Sequence, residues 1–343
     1  MQKKHLLIGY VQSRALPDVT PEDARKMTHI NIAFGHVKDG RVTVENTRNL
    51  DFLPKLREYN PQIGILLSVG GWGAGGFSEA AATAAGRQRF AQTSVEILRT
   101  YKLDGIDIDW EYPTYGWAGI DASPEDRYTF TLLLEELRQA LDAQGEADGR
   151  RYLLTIAAGA GQYFVDGTEM AEAHKYLDWV QLMTYDMRGG FQNTTGHHTN
   201  LYTPSGDLNR SSAADAVRIF TAAGVPKEKL LIGAAFYSRM WTDVSNVNRG
   251  MYQQSPANGG YGPVYAELAA KYINKNGFVR YWDEEAQAPW LFDGSTFITY
   301  DDPESLKAKC AYLKAAGLLG IMFWEYSCDS TRTLLDTLYQ ALF

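Results

Sequence analysis

A chain of 343 residues with 45% hydrophobic side chains can bury one large core, and its length alone allows one to three domains. With 33 basic against 41 acidic residues the formal charge is -8, which disfavours nucleic acid or any other partner held through phosphates. No run is long enough to cross a bilayer, and the only two cysteines, Cys310 and Cys328, lie outside any C-x-x-C or Cys/His pattern. That argues against membrane insertion, a disulfide framework and a structural zinc site, and leaves open one bridge or two buried thiols.

At the N-terminus, Met1-Gln2-Lys3-Lys4-His5 leads directly into Leu6-Leu7-Ile8-Gly9-Tyr10, too short for the apolar segment and cleavage site of an export signal. An extracellular or a cytoplasmic setting both stay open. From there short apolar or β-branched runs recur at 6–10, 29–34, 64–68, 105–111, 153–158, 179–185, 230–236 and 320–324. Helical patterns are clearest at 87–100, 124–143, 211–222, 303–315 and 331–341. Ser123-Pro124-Glu125 and Asp302-Pro303-Glu304 read as helix caps with proline at the first helical position. Strands alternating with helices eight times predict an α/β chain closed into a (β/α)8 barrel. The barrel is assigned to 1–236 and 301–343, and the long connection 237–300 to a small α+β insertion after the seventh strand. Its aromatics, among them Trp241, Trp282 and Trp290, form either a core of their own or the wall of a cleft.

The most informative run is Asp104-Gly105-Ile106-Asp107-Ile108-Asp109-Trp110-Glu111. On a strand, alternate residues share a face, so Asp107, Asp109 and Glu111 point one way and Ile106, Ile108 and Trp110 the other. In a barrel the apolar set packs under the helices and the acids face the lumen, with Glu111 at the C-terminal end where barrel enzymes carry their sites. Three partly desolvated carboxylates at roughly 6–7 Å spacing cannot all stay ionised, so at least one pKa rises, as a proton donor requires. Asp107 and Asp109 are expected to share a proton and titrate together. The competing readings are an exposed acidic edge and a hard-cation site of the D-x-D type.

Asp104-Gly105-x-Asp107-x-Asp109-x-Glu111 resembles the D-G-x-D-x-D-x-E signature of glycoside hydrolase family 18. Four further segments are similar to motifs of that family and stand in its order: Ser68-Val69-Gly70-Gly71-Trp72, Met183-Thr184-Tyr185-Asp186, Phe236-Tyr237-Ser238-Arg239-Met240-Trp241 and Met322-Phe323-Trp324-Glu325-Tyr326. Ser238 departs from the glycine usual at its position, which leaves the pose of Arg239 open. The resemblance implies a chitinase acting on chitin or N-acetylglucosamine oligosaccharides by a retaining, substrate-assisted route, with no cofactor or metal and as a monomer.

On that resemblance Glu111 is the acid and base, Asp109 holds the sugar's acetamido N–H, Asp107 tunes Asp109, and Tyr185 binds the acetamido oxygen with Asp186 beside it. Trp324 forms the floor under the sugar. Tyr10, Phe34, Met183 and Arg239 line the same subsite, while Trp72, Tyr112 and Trp241, with Tyr115, Trp117 and Trp290, extend the cleft. The adjacent His197-His198 pair faces apart with no third ligand at a chelating interval and reads as loop. Alternatives to hydrolysis of chitin are a non-catalytic lectin, an endo-β-N-acetylglucosaminidase and a metal-dependent hydrolase.

Overall fold

The computed structural model describes residues 5–343, so Met1 to Lys4 of the N-terminal reading lie outside the described residues. Eight parallel strands form the frame: β1 (Leu6–Gln12), β2 (His29–Lys38), β3 (Gly64–Gly70), β4 (Gly105–Asp109), β5 (Leu153–Gly159), β6 (Trp179–Met183), β7 (Leu230–Ala235) and β8 (Gly320–Trp324). Each pairs with its sequence neighbour, and β1 pairs with both β2 and β8, so the sheet closes into the expected (β/α)8 barrel. These strands are apolar on their helix-facing side because helices cover the outside: Trp110 stacks on Phe77 at 5.3 Å and meets the edge of Phe130 at 5.8 Å. Ile106, Ile108 and Trp110 are each at most 1% exposed, as the alternation along β4 demands.

Three strands stop short of the apolar runs that announce them, β7 by the single residue Phe236. β4 ends at Asp109 and β6 at Met183, where their ladders to β3 and β5 run out at Gly70 and Gly159. Beyond β6, the Thr184 hydroxyl replaces the ladder: it accepts from Gly233 N–H at 2.7 Å and donates to Gly233 C=O at 2.8 Å. Glu111, Tyr185 and Asp186 therefore stand just past the last paired residues, at the barrel mouth.

Asp302 caps helix Pro303–Ala316 as expected, in a capping box with Ser305 and with proline in the first turn. The other cap differs. Helix Asp126–Asp148 begins after Ser123-Pro124-Glu125, and the buried Asp126 carboxylate instead ties the preceding loop by accepting from Ser123 N–H at 2.7 Å and Ser78 Oγ at 2.7 Å. Both cysteines are free, and burial pushes the Cys310 thiol up to about 12. Among the described residues no helix is long and apolar enough to cross a membrane.

Between β7 and helix Pro303–Ala316 the chain builds a five-stranded antiparallel sheet in the order Gly260–Tyr261, Arg239–Trp241, Phe297–Thr299, Ala288–Phe292, Val279–Asp283. Its period of two divides the apolar residues between two cores: Leu291 and Ile298 join the barrel cluster, while Trp290, Phe292, Phe297 and Trp241 form a second one with Val244 and Met251. The connection after β6 is woven into this unit through a Thr194 to Gln254 bridge and a Leu201 N–H to Ala286 C=O bond of 3.0 Å. The buried Lys309–Asp301 pair, 2.6 Å apart, adds bonds from the Thr199 hydroxyl and from Ala235 N–H to the same Asp301 oxygen and so pins that connection to β7.

Candidate active site

Parallel register sets Ser68 and Thr155 beside Asp107 on the flanking strands, and all three face the lumen. Asp107 is fully buried and accepts four hydrogen bonds: Tyr10 Oη at 2.8 Å and Ser68 Oγ at 2.7 Å on one oxygen, Thr155 Oγ1 at 2.6 Å and Gln181 Nε2 at 2.8 Å on the other. Asn31 fixes the amide of Gln181 by donating to its oxygen at 3.1 Å. Burial raises the pKa of Asp107, and the four donors pull against it. They also surround the carboxylate with positive ends, which disposes of both the exposed acidic edge and the hard-cation reading. Tyr10, expected as a wall of the sugar subsite, is 2% exposed and commits its hydroxyl to Asp107, so it acts from beneath.

Asp109 is poorer in partners. It is 4% exposed, and its Oδ1 is buried without a hydrogen bond. Burial first, then the charges of Glu111 and Asp107, hold its pKa well above the usual carboxylate range. Four donors from other strands occupy Asp107's oxygens, so Asp107 reaches Asp109 through its charge, one of the causes of the raised pKa there. Glu111, 9% exposed, is pushed up to about 7, chiefly by burial and further by the charge of Asp186, while Tyr112 opposes the rise.

Asp186 sits at φ 55°, in the left-handed region, with its side chain 36% exposed in the cleft. Burial alone lifts a carboxyl, but the neighbouring His198 and the hydrogen-bonded Arg239 guanidinium overcome it and hold Asp186 well below its ordinary value. Arg239 Nε donates to Asp186 Oδ1 at 2.6 Å, and Asp186 N–H donates to His198 Nδ1 at 3.3 Å. Ser238 does not disturb this: its hydroxyl turns away to donate to Pro263 C=O at 2.6 Å, and Arg239 lies over Tyr261 at 3.9 Å. His197 and His198 are in a loop, as read, yet both are buried and employed, His197 Nε2 lying 3.1 Å from Asp283 Oδ2. Their roles depend on partners far along the chain, which no local spacing announces.

Tyr185 is half-buried, its hydroxyl 3.8 Å from Met322 Sδ, and a Cβ on Gly233 would come within 2.8 Å of its ring. Glycine on β7 is therefore what admits the tyrosine. Trp324 is partly exposed and stacks on Phe34 at 5.5 Å and 20°. Met183, 9% exposed, closes the end of β6. Phe34, His36 and Trp72 line a cavity of about 210 Å3 with the glycine-rich turn after β3.

Trp72 is 52% exposed and meets the edges of Tyr112 at 6.4 Å and Phe191 at 6.0 Å. Tyr112 is itself buried against Tyr163 at 5.2 Å and Trp117 at 5.9 Å, and Tyr115 lies 4.8 Å from Trp117. Tyr163 and Phe191 were not singled out in the sequence; Phe191, 70% exposed after two glycines, carried a readable signal, Tyr163 none. Trp241 does not reach the cleft. It is 1% exposed, donates its Nε1 to Gln192 C=O at 3.0 Å and packs on Phe297, so it holds the insertion together and has no face for a sugar. Trp290, 7% exposed and stacked on Tyr281, belongs to the same core.

A family model described as glycosyl hydrolases family 18 matches residues 7–329. Chitinase A1 of Niallia circulans is 42% identical over 309 residues, covering 84% of this chain, which spans only 44% of that protein's length. A solved structure titled as a novel glycoside hydrolase family 18 N-acetylglucosaminidase from Paenibacillus barengoltzii is 64% identical, with a TM-score of 0.97 over 98% of this chain and 99% of its own. A class V chitinase from Nicotiana tobaccum, titled as a complex with NAG4, is 25% identical with a TM-score of 0.88, covering 98% of this chain and 99% of its own.

Proposed function

The chain belongs to glycosyl hydrolase family 18, and from that premise we propose that it cleaves β-1,4 bonds between N-acetylglucosamine units of chitin or its oligosaccharides, with retention and with Glu111 as acid and base. The observation that carries this is a buried carboxyl at the barrel mouth whose pKa stands at about 7, so that it still holds a proton to give near neutrality. The acetamido oxygen of the sugar attacks its anomeric carbon as Glu111 protonates the glycosidic oxygen, and the bond to the leaving sugar breaks. Water then opens the oxazolinium ion, losing a proton to Glu111.

Asp109 supports this route, since its buried, unpartnered oxygen finds in the acetamido N–H the donor it lacks, and the cationic intermediate, once formed, favours its ionised form. Tyr185, whose pKa burial and the neighbouring carboxylates raise well above its ordinary value, stays protonated and donates to the acetamido oxygen. Asp186 remains ionised as a second polar contact, and Trp324 offers its face to the sugar.

Glu111→Gln tests the assignment. Turnover of a chito-oligosaccharide is expected to fall about 10²–10⁴-fold with affinity kept, and a variant that still hydrolyses it at the parental rate refutes the role. In the parent, kcat declines as pH rises through about 7, because the donor must be protonated. A second reading, release of single N-acetylglucosamine units, is favoured by the 64% identity to the Paenibacillus protein, titled an N-acetylglucosaminidase. Product analysis on oligosaccharides of defined length separates monomer release from internal cleavage.

A further inference from the structure

A second concavity, about 370 Å3, opens on the insertion, away from the acidic row. That volume falls within the range of small-molecule sites. Three stretches far apart in sequence line it: Pro204 to Gly206 from the connection after β6, Asn248 with Met251 and Tyr252, and the hairpin bearing Trp282, Asp283, Glu284, Glu285 and Trp290. Its walls carry three aromatic rings and three consecutive carboxylates, and neither lysine nor arginine lines it. We infer that this concavity is a second carbohydrate site, selective for a sugar bearing a free ammonium group, such as a glucosamine unit of deacetylated chitin.

The carboxylates are built in. Asp283 Oδ1 accepts from the N–H groups of Glu285 and Ala286, both at 3.0 Å, and its Oδ2 lies 3.1 Å from His197 Nε2. Glu285 accepts from Ser205 N–H at 2.6 Å, so it ties the hairpin to the opposite rim. Those bonds hold Asp283 and Glu285 below the ordinary carboxylate range, against burial in the case of Asp283. Glu284, between them, makes no side-chain hydrogen bond among the described residues and is left to meet a ligand.

Opposite stands Tyr252 at φ 56°, close after Asn248 and Arg249 at φ 49° and 53°; side chains other than glycine are held in that region only where the surroundings require it. Its hydroxyl is buried with no partner. Trp282 supplies a ring already approached by the Arg280 guanidinium at 5.3 Å, which shows it accepting a cation on one side.

This chemistry discriminates among ligands. An acetylated sugar meets the rings but leaves the carboxylates without a counter-charge, and acidic glycans or phosphates are repelled. A bare divalent ion is poorly served, because Asp283 is already engaged by donors and no group of three or more metal-binding side chains exists among the described residues. An ammonium sugar satisfies ring and carboxylate together.

Calorimetric titration of the glucosamine trisaccharide into the full chain carrying Glu111→Gln tests this inference, which does not depend on the hydrolytic reading. Trp282→Ala in that background is expected to weaken binding about tenfold, and Glu284→Gln about threefold with a shallower salt dependence. In the parental background both variants keep turnover of a short chromogenic oligosaccharide unchanged. Should Trp282→Ala fail to fold, Glu284→Gln on the exposed turn carries the test alone. Glucosamine binding that survives both substitutions, or that an equal concentration of the N-acetylglucosamine trisaccharide displaces, overturns the site.

Discussion

Asp107 lies on β4 and Glu111 two residues past its end, and the two have opposite surroundings. Asp107, deep in the lumen, has every oxygen met by donors from four other strands, whereas Glu111, at the mouth, is buried with its pKa at about 7 and the charge of Asp186 nearby. Identical headgroups thus become a fixed acceptor and a poised acid through the number of donors each can reach. Asp109 lies between them in chemistry as in space, buried like the first and short of partners like the second.

That contrast is open to attack at both ends. Asp107→Ala strands its donors; the three hydroxyls can turn, but Gln181 is locked by Asn31, so a loss of roughly 3 kcal/mol in urea unfolding is expected. A loss near zero would mean that the floor is not held by this carboxylate. Glu111→Gln should act in the other direction. A folded pKa of about 7 against an ordinary 4.5 contributes stability that is present below about 4.5 and lost as pH climbs through 7. The glutamine cannot ionise and keeps it, so the variant should exceed the parent by about 1–3 kcal/mol at pH 8 and match it at pH 4. Equal stability at both pH values removes the argument for a raised Glu111. The smallest effect belongs to Asp107→Asn, about 1 kcal/mol, since one amide oxygen still serves Thr155 and Gln181 while the Ser68 and Tyr10 hydroxyls rotate to accept from the new NH2.

The barrel, the acidic face of β4 and most of the mouth were legible because each rests on short-range pattern. Alternation needs only neighbouring residues, and Ile106, Ile108 and Trp110 declare which side is outside. Strand ends were read less well, since β4 and β6 stop where their partners do. Trp241 shows another limit: a tryptophan in a long insertion looks the same whether it faces a sugar or, as here, Phe297 and Gln192. His198 was passed over because its partner, Asp186, is a loop neighbour only in space.

Residue order alone determined that eight apolar runs separated by helices would close on themselves and that three acids would project inward, for those outcomes follow from strand period and from covering both faces of a parallel sheet. Which of those acids keeps a proton, which tryptophan is wall and which is core, and what answers Asp186 were decided by folding. Each depends on burial and hydrogen bonds between side chains brought together from distant strands and loops, and desolvation acts on the assembled site rather than on the chain.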